Sequence, residues 1–98
     1  MIQFEWDEAK NRANQLKYGV SFEIAALVFD DRFALMYQNR VVDGEHRWQA
    51  IGRVAEQVVL VVAHTVRESD EGSETIRVIS ARKALKIERK RYEEQSLS

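Results

Sequence analysis

Two long runs of strand-forming residues near the middle of the chain limit the folds that it can adopt. They are QVVLVVAHTVR, Gln57–Arg67, and ETIRVISAR, Glu74–Arg82. The segment ESDEGSE that joins them is polar and contains a glycine, which is typical of a hairpin loop. The apolar core of the first run, Val58–Ala63, is much shorter than the roughly 18 residues of a membrane helix, so it predicts a buried strand.

Helices are predicted on both sides of these strands. The first follows Asp7, a good N-cap residue, and ends at Gly19, with an inward apolar stripe of Ala9, Ala13 and Leu16. A second helix, FEIAALVF, begins after Ser21, and a last helix is expected from about Arg82 to Glu94. In the last helix, three residues are expected to face the core: Ala84, Leu85 and Tyr92.

The order of these elements predicts an α+β fold. FALMYQ and HRWQAIGRV are two further strands joined by an Asp43-Gly44 turn, and QFEW is a possible short strand at the start. We therefore expect two N-terminal helices, an antiparallel meander of three to four strands and a C-terminal helix, with the helices packed on one sheet face. At 98 residues the chain is expected to form one domain over residues 1–98.

Several kinds of site are disfavoured by composition. The chain has no cysteine, which excludes disulfides and thiolate chemistry, and its two histidines have no second ligand at a familiar metal spacing. Its four glycines lie too far apart for a phosphate-binding loop. We expect no cofactor, no metal and no membrane partner. The acidic N-terminal segment is unlike a secretory signal, so the cytoplasm is the expected location.

Positive charge is concentrated near the C-terminus. The formal net charge is −1, yet Arg77–Arg91 carries seven Lys or Arg residues against one acid, Glu88. A polyanionic partner responds to such local charge more than to the sum. Residues alternate between the two faces of a strand, so Arg77 and Arg82 oppose each other, as do His64 and Arg67, unless a bulge intervenes or a residue lies past the end of its strand, as is expected for Arg67 and Arg82.

Four segments together resemble one family. FEWDEAKNRANQLKYGVSFEIAALVF, HRWQAIGR, LVVAHTVRE and IRVISARKALKIERKRYEE resemble the BrnT family, toxins of bacterial type II toxin–antitoxin pairs, in its order and spacing. The family commonly has histidine where this chain has Tyr18, and a phenol does not accept a proton near neutral pH. Ile24 stands where an acid is frequent in the family.

The resemblance implies a RelE-like fold and a ribonuclease that arrests translation. It also implies a small antitoxin that neutralises the toxin in a hetero-oligomer. The complex would contact DNA only through the DNA-binding domain of this antitoxin. Such ribonucleases can work without metal, because the RNA 2′-hydroxyl attacks the adjacent phosphorus, the bond to the 5′-oxygen breaks, and the products are a 2′,3′-cyclic phosphate and a free 5′-hydroxyl. The protein must then bind the phosphate, stabilise its charge and move two protons.

Three residues are candidates for catalysis. Arg82 lies where the last strand meets the basic helix, and arginine matches phosphate with its planar fork; the alternative is a salt bridge to Glu88. Arg67 ends the neighbouring strand, and its alternative is a pair with Glu74. His64 titrates near neutral pH and is a candidate acid or base, whereas the competing interpretation is a hydrogen-bonded histidine of a half-buried strand.

Further residues are candidates for RNA contact. Five are basic: Arg77, Arg53, Lys83, Lys86 and Lys90. Trp48 and Tyr37 are possible stacking groups for bases, although Trp48 is interpreted as a core residue. Two other functions compete with catalysis. One is a non-catalytic nucleic-acid-binding module or corepressor, and the other is a basic surface for an acidic protein partner.

Overall fold

The computed structural model describes residues 2–96 and contains strands and helices in alternating groups. In chain order the elements are β1 (Ile2–Glu5), α1 (Glu8–Tyr18), α2 (Phe22–Ala25) continued by a 3₁₀ helix (Ala26–Asp30), β2 (Leu35–Val42), β3 (Glu45–Ala55), β4 (Val58–Glu68), β5 (Glu74–Lys83) and α3 (Lys86–Ser96). Of these helices, none is both long enough and apolar enough to cross a membrane.

The strands form one mixed sheet in the order β1-β5-β4-β3-β2. The antiparallel meander of β2 to β5 was predicted, but the sheet has five strands where three to four were expected. The additional strand, β1, pairs in parallel with β5, from Ile2 opposite Glu74 to Glu5 opposite Arg77. Its parallel partner lies about 70 positions away in the chain, so no local pattern indicates the pairing.

The prediction that all helices share one sheet face is wrong. One face, called the α2 face, packs its Leu60, Val62 and Val78 against Phe22 and neighbours from α2 and the 3₁₀ helix. The other face, called the α3 face, packs Ile51, Val59 and Val61 against Tyr92 of α3. The helices are on two faces because β4 is apolar on both sides, and each side must be covered.

The second and third helices also differ in extent from their predictions. FEIAALVF is α-helical only to Ala25 and then tightens into the 3₁₀ helix, which runs close over β3 at Gly52. A Cβ atom at Gly52 would lie 2.8 Å from Val28 Cγ1. The last helix begins at Lys86 rather than near Arg82, because β5 continues through Arg82 to Lys83. Tyr92 is buried as predicted and Ala84 is half-buried, but Leu85 is 60% exposed.

The core-facing stripe predicted for α1 is wrong as well. Leu16 is 91% exposed, and Ala9 and Ala13 are exposed too, whereas Asn11 and Asn14 are buried. The helix is therefore attached through hydrogen bonds rather than through apolar packing. Asn11 Oδ1 accepts from the backbone N–H of Phe22 at 2.9 Å, and its amide nitrogen donates to Glu8 and Glu23.

Asn14 completes the hydrogen bonding of β5. Strand β1 ends opposite Arg77, so it does not reach the backbone of Ala81. The amide of Asn14 takes its place, because it accepts from the Ala81 N–H at 3.1 Å and donates to the Ala81 carbonyl at 2.8 Å. The same amide nitrogen donates to the Val20 carbonyl at 2.8 Å. One side chain thus satisfies three buried backbone groups.

We expect Asn14→Ala to lower the free energy of unfolding by at least about 2 kcal/mol, because it leaves buried backbone groups without partners. Urea denaturation measures this loss. Lys10→Ala, which removes an exposed side chain on the same helix, is the control and should change stability by less than about 0.5 kcal/mol. Equal stability of the two variants would contradict the role assigned to Asn14.

Candidate nucleic-acid interface

A β-bulge in β5 decides which arginines share a face. Ala63 pairs with Ser80 and His64 pairs with Val78, so Ile79 has no partner in β4. The extra residue shifts the alternation, and Arg77 and Arg82 therefore point to the same face instead of opposite faces. Arg82 pairs with Val61 and Arg77 with Thr65, which places both on the α3 face.

Six arginines of the sheet lie on this face. Alternation from Ile51 and Val61, together with the register of each strand pair, assigns them to it: Arg40, Arg47, Arg53, Arg67, Arg77 and Arg82. We call the surface that they form the arginine face. The α2 face of the same strands carries no arginine, so the sheet separates charge between its two sides.

Two of these arginines share one carboxylate. Glu5, opposite Arg77 in β1, places Oε1 at 2.8 Å from Arg67 Nη2 and at 3.7 Å from Arg77 Nη1. The alternative partner expected for Arg67, Glu74, lies on the other face, directly across from Glu68. Both arginines remain substantially exposed, so Glu5 orients them without removing them from solvent.

Arg67 and Arg82 lie on the same face but do not converge. Arg67 pairs with Thr75, whereas Arg82 pairs with Val61, six positions back along β4. At about 3.3 Å per residue their Cα atoms are about 20 Å apart, and each guanidinium is held by a different carboxylate, Glu5 for Arg67 and Glu88 for Arg82. The two residues can instead contact different parts of one bound strand.

Arg82 is the most constrained of the six. Its Nη1 and Nη2 atoms donate to Glu88 Oε1 and Oε2 at 2.7 and 2.9 Å, which is the salt bridge considered from the sequence. Glu88 also accepts from the backbone N–H of Leu85 at 2.8 Å and so caps the start of α3. A guanidinium has five N–H donors, so the bidentate pair leaves others available on a side chain that is one-third exposed.

The salt bridge between Arg82 and Glu88 shifts the pKa of both groups. The hydrogen bonds that Arg82 donates to Glu88, helped less strongly by the charge of Glu88 and by electrostatic interaction with Tyr37 and Tyr18, raise the pKa of Arg82 despite burial. The hydrogen bonds from Arg82 lower the pKa of Glu88, again against the effect of burial. Glu88 is therefore ionised at neutral pH, and its two hydrogen bonds hold Arg82 in one orientation.

The histidines lie on the opposite side of the sheet. His64 is buried on the α2 face, where its Nδ1 lies 3.2 Å from the Val62 carbonyl and its ring meets Phe29 edge to face. Burial lowers the pKa of His64. His46 also belongs to the α2 face, so the arginine face contains no histidine. The structure does not bring His64 to Arg67 or Arg82.

The other predicted contact residues are divided among several surfaces. Arg77 belongs to the arginine face, and Arg53 lies at its edge with its guanidinium 5.7 Å from the ring centroid of Tyr92. Lys83 pairs with Leu60 and lines a pocket on the α2 face. Lys86 and Lys90 are exposed on α3, on the side away from Tyr92. The five residues therefore do not form one surface.

The two aromatic candidates lie on different faces. Trp48 is half-buried on the α2 face, opposite His64. Tyr37 is half-buried on the arginine face and donates from its hydroxyl to Gln49 Oε1 at 2.7 Å. Sequence reasoning missed Arg40 and Arg47. Alternation from Arg53 identifies Arg47, but Arg40 reaches this face only through a second bulge, near Asn39.

A polar network at one edge of the site was not expected from the sequence. Asp31 Oδ2 accepts from the backbone N–H of Arg53 and from the hydroxyl of Tyr92, which links α3 to the loop after the 3₁₀ helix. Burial raises the pKa of Asp31, but these hydrogen bonds outweigh it and the net pKa is lowered. Burial and Asp31 together raise the pKa of Tyr92 to about 12.

No metal centre is evident between residues 2 and 96, where no group of three or more His, Asp or Glu side chains is placed to hold an ion. The site thus consists of guanidinium groups, phenols and amides. An exposed arginine cluster on one face of a small domain is typical of proteins that bind polyanions.

Comparison with known proteins identifies the family. The family described as "Ribonuclease toxin, BrnT, of type II toxin-antitoxin system" matches residues 6–88, and the chain belongs to it. The crystal structure of the Brucella abortus ribonuclease toxin BrnT is similar, with a TM-score of 0.66 and 26% sequence identity. The match covers 88% of this chain and 100% of the Brucella chain. A search of curated protein sequences found no match.

We expect Tyr92 to make stability sensitive to alkaline pH. Its pKa is about 12 when folded and about 10 when unfolded. The raised value means that its stabilising contribution is complete below about pH 10 and is lost as pH rises towards 12. Tyr92→Phe should lower stability by about 2 kcal/mol at neutral pH and lose much of this alkaline dependence.

Unfolding free energy measured by denaturant titration between neutral pH and about pH 11 tests this expectation. Tyr37→Phe is the control, because Tyr37 bonds a neutral amide rather than a carboxylate. If wild type and Tyr92→Phe lose stability in parallel over this range, the link between Tyr92 and Asp31 does not control the alkaline response.

Proposed function

We propose that this chain is an endoribonuclease toxin that cleaves RNA by attack of the 2′-hydroxyl, without a metal ion, on the arginine face. The observation that carries the proposal is the alignment of Arg67, Arg77 and Arg82 on one open sheet surface by the bulge at Ile79. Membership in a family of ribonuclease toxins supports RNA as the polyanion. Its proposed place of action is the cytoplasm, where translation takes place.

Arg82 is proposed to bind the scissile phosphate. Glu88 fixes two of its N–H groups, so the remaining donors point in a defined direction without reorganisation when charge develops on the phosphorane. The guanidinium stays charged throughout, since its pKa is raised further. Arg67 and Arg77 share Glu5 at the other end of the face from the Glu88 that holds Arg82, and they are proposed to bind the RNA backbone on one side of the cleaved bond.

The proton transfers are not assigned to His64. It lies on the other sheet face, and burial lowers its pKa. The lysines are given lesser roles because Lys83 lies on the α2 face, whereas Lys86 and Lys90 are on the side of α3 away from Tyr92. Lys83, Lys86 and Lys90 are outside the surface that contains Arg82, so they are proposed at most to attract RNA at long range, an effect that salt screens.

A non-catalytic RNA-binding module is the second candidate. It is favoured by one observation, since the arginine face has no histidine to act as acid or base. A nuclease of the proposed mechanism must produce RNA fragments that end in 2′,3′-cyclic phosphate, whereas a binding module leaves RNA intact. Analysis of the RNA ends therefore separates the two functions.

The proposed partner is the antitoxin implied by the family. We propose that it is a small DNA-binding protein that neutralises this chain in a hetero-oligomer. In this arrangement the chain contacts DNA only through the antitoxin. Co-purification with the product of the neighbouring gene, and the mass of the complex, test this partner and its stoichiometry.

We expect Arg82→Ala to reduce the rate of RNA cleavage by on the order of 100-fold or more, because a preorganised donor to the phosphorane is lost. Cleavage is measured with purified protein in EDTA, with the fragment ends identified. Arg12→Ala, at an exposed arginine of α1, should cleave at the wild-type rate. Unfolding is measured in parallel, because Arg82 also binds Glu88.

Intact RNA with wild-type protein in EDTA would contradict metal-free cleavage. Equal rates for wild type and Arg82→Ala would contradict the role of Arg82, whatever the product ends.

Arg67→Ala and Arg77→Ala are expected to weaken RNA binding rather than chemistry. Each should reduce the slope of log K against log salt by about one, as expected when one phosphate contact is lost. Binding is measured at several salt concentrations with an RNA whose 2′-hydroxyl is replaced at the cleavage site. Lys86→Ala on α3 is the matched control, and a slope reduced equally by all three would count against a specific RNA path.

A further inference from the structure

The α2 face has an uncovered half. The helices cover the part of the face around Leu60 and Val62, but the far ends of the strands have no helix over them. A groove of about 580 Å³ lies there, and Trp48, His64, Met36 and Val66 contribute to its lining. Met36 is 51% exposed and Val66 is 38% exposed, so apolar side chains are open to solvent on a side of the sheet that contains no arginine.

Two carboxylates lie directly opposite each other at the end of this groove. Glu68 pairs with Glu74 across β4 and β5, and both line the groove. Like charges directly across two strands destabilise a sheet. Neither carboxylate has an ion pair within residues 2–96, and the groove is lined by no lysine or arginine. A cation placed between them would relieve this repulsion.

These features together define the chemistry of an occupant. It must combine a positively charged group for Glu68 and Glu74 with a bulky apolar group for Met36, Trp48 and Val66. RNA does not meet this requirement, because its phosphates would be repelled by the carboxylates. A protein segment in which lysine or arginine stands beside large apolar residues does meet it, and a 580 Å³ groove can receive such side chains.

We propose that this groove is a docking surface for the antitoxin, which inserts a basic and apolar segment into it. The inference rests on the proposed antitoxin partner but not on RNA cleavage. It has a geometric consequence, since the groove and the arginine face lie on opposite sides of one sheet. Docking in the groove therefore anchors the antitoxin without using any residue assigned to RNA binding.

The test uses the full chain and the purified product of the neighbouring gene, with the dissociation constant measured by calorimetry. Glu68→Lys and Met36→Glu change the charge and the apolar lining of the groove. Each should weaken antitoxin binding by at least about tenfold, as for residues central to an interface. Both side chains are exposed, so the variants should keep the wild-type fold, which circular dichroism verifies.

Two matched variants serve as controls. Glu71→Lys makes the same charge change in the hairpin loop outside the groove, and Leu16→Glu makes a similar polar change at the exposed leucine of α1. Both should bind the antitoxin within about twofold of wild type. A second experiment changes each lysine and arginine of the antitoxin to glutamate in turn, and one such change should restore binding to Glu68→Lys.

Several outcomes would overturn the proposal. These are wild-type affinity in both groove variants, an equal loss in the matched controls, or no binding of the antitoxin by wild-type protein. If Met36→Glu instead abolishes self-association measured by sedimentation and leaves antitoxin binding intact, the groove joins two copies of this chain. RNA cleavage is assayed separately, so its absence would reject the nuclease function and leave the binding result to decide the docking surface.

Discussion

The register between β4 and β5 is the constraint on which the proposed site depends. Without the unpaired Ile79, Arg77 and Arg82 would project from opposite faces of the sheet, and no continuous basic surface would exist. The unpaired Ile79 reverses the alternation of side chains between the two faces once, in the middle of β5. Apolar packing on both sides of β4 keeps that register in place, because a shift by one residue would move Val62 and its neighbours out of the clusters into which they pack. The core and the functional surface are therefore determined by the same strand pairing.

Glu88 couples this surface to the C-terminal helix. It binds the guanidinium of Arg82 and caps the first turn of α3, so the beginning of the helix and the orientation of the arginine are established together. Further along α3, Tyr92 joins Asp31 and packs beside Arg53. A helix with few buried apolar residues is thus attached mainly through polar contacts at its two ends. Such attachment depends on ionisation states, which apolar packing does not.

Much of the fold follows from local patterns, and the failures have specific causes. Strands β3 to β5 were predictable because their apolar residues alternate or run continuously, and Asp7, Ser21 and Gly19 indicated the ends of helices. The parallel pairing of β1 was not predictable, because it joins distant segments. The stripe on α1 was assigned to alanine and leucine, whereas Asn11 and Asn14 are the buried residues. Asn14 bonds only backbone groups and Asn11 bonds the backbone of Phe22, and such partners leave no sign in the sequence.

The candidate site was predicted in part. Charge alone indicated the segment from Arg77 onward, and the family resemblance indicated Arg82, but strict alternation separated the two. The residues around the bulge, Val78–Lys83, contain no type that predicts a departure from alternation. The common face of Arg67, Arg77 and Arg82 is therefore visible only in the register of β4 and β5. His64 was selected for its titration near neutral pH. The register places it on the other face, where burial favours the neutral ring.

The hydrogen bonds of Asn14 also limit the pairing of β5 with other protein chains. Past the end of β1, the backbone of β5 would offer unpaired amide and carbonyl groups to any extended peptide, and such exposed edges promote self-aggregation. The side-chain amide occupies those groups at Ala81 and is itself covered by α1. Asn14 thus prevents another chain from pairing with β5 at Ala81, which an apolar side chain at the same position would not do.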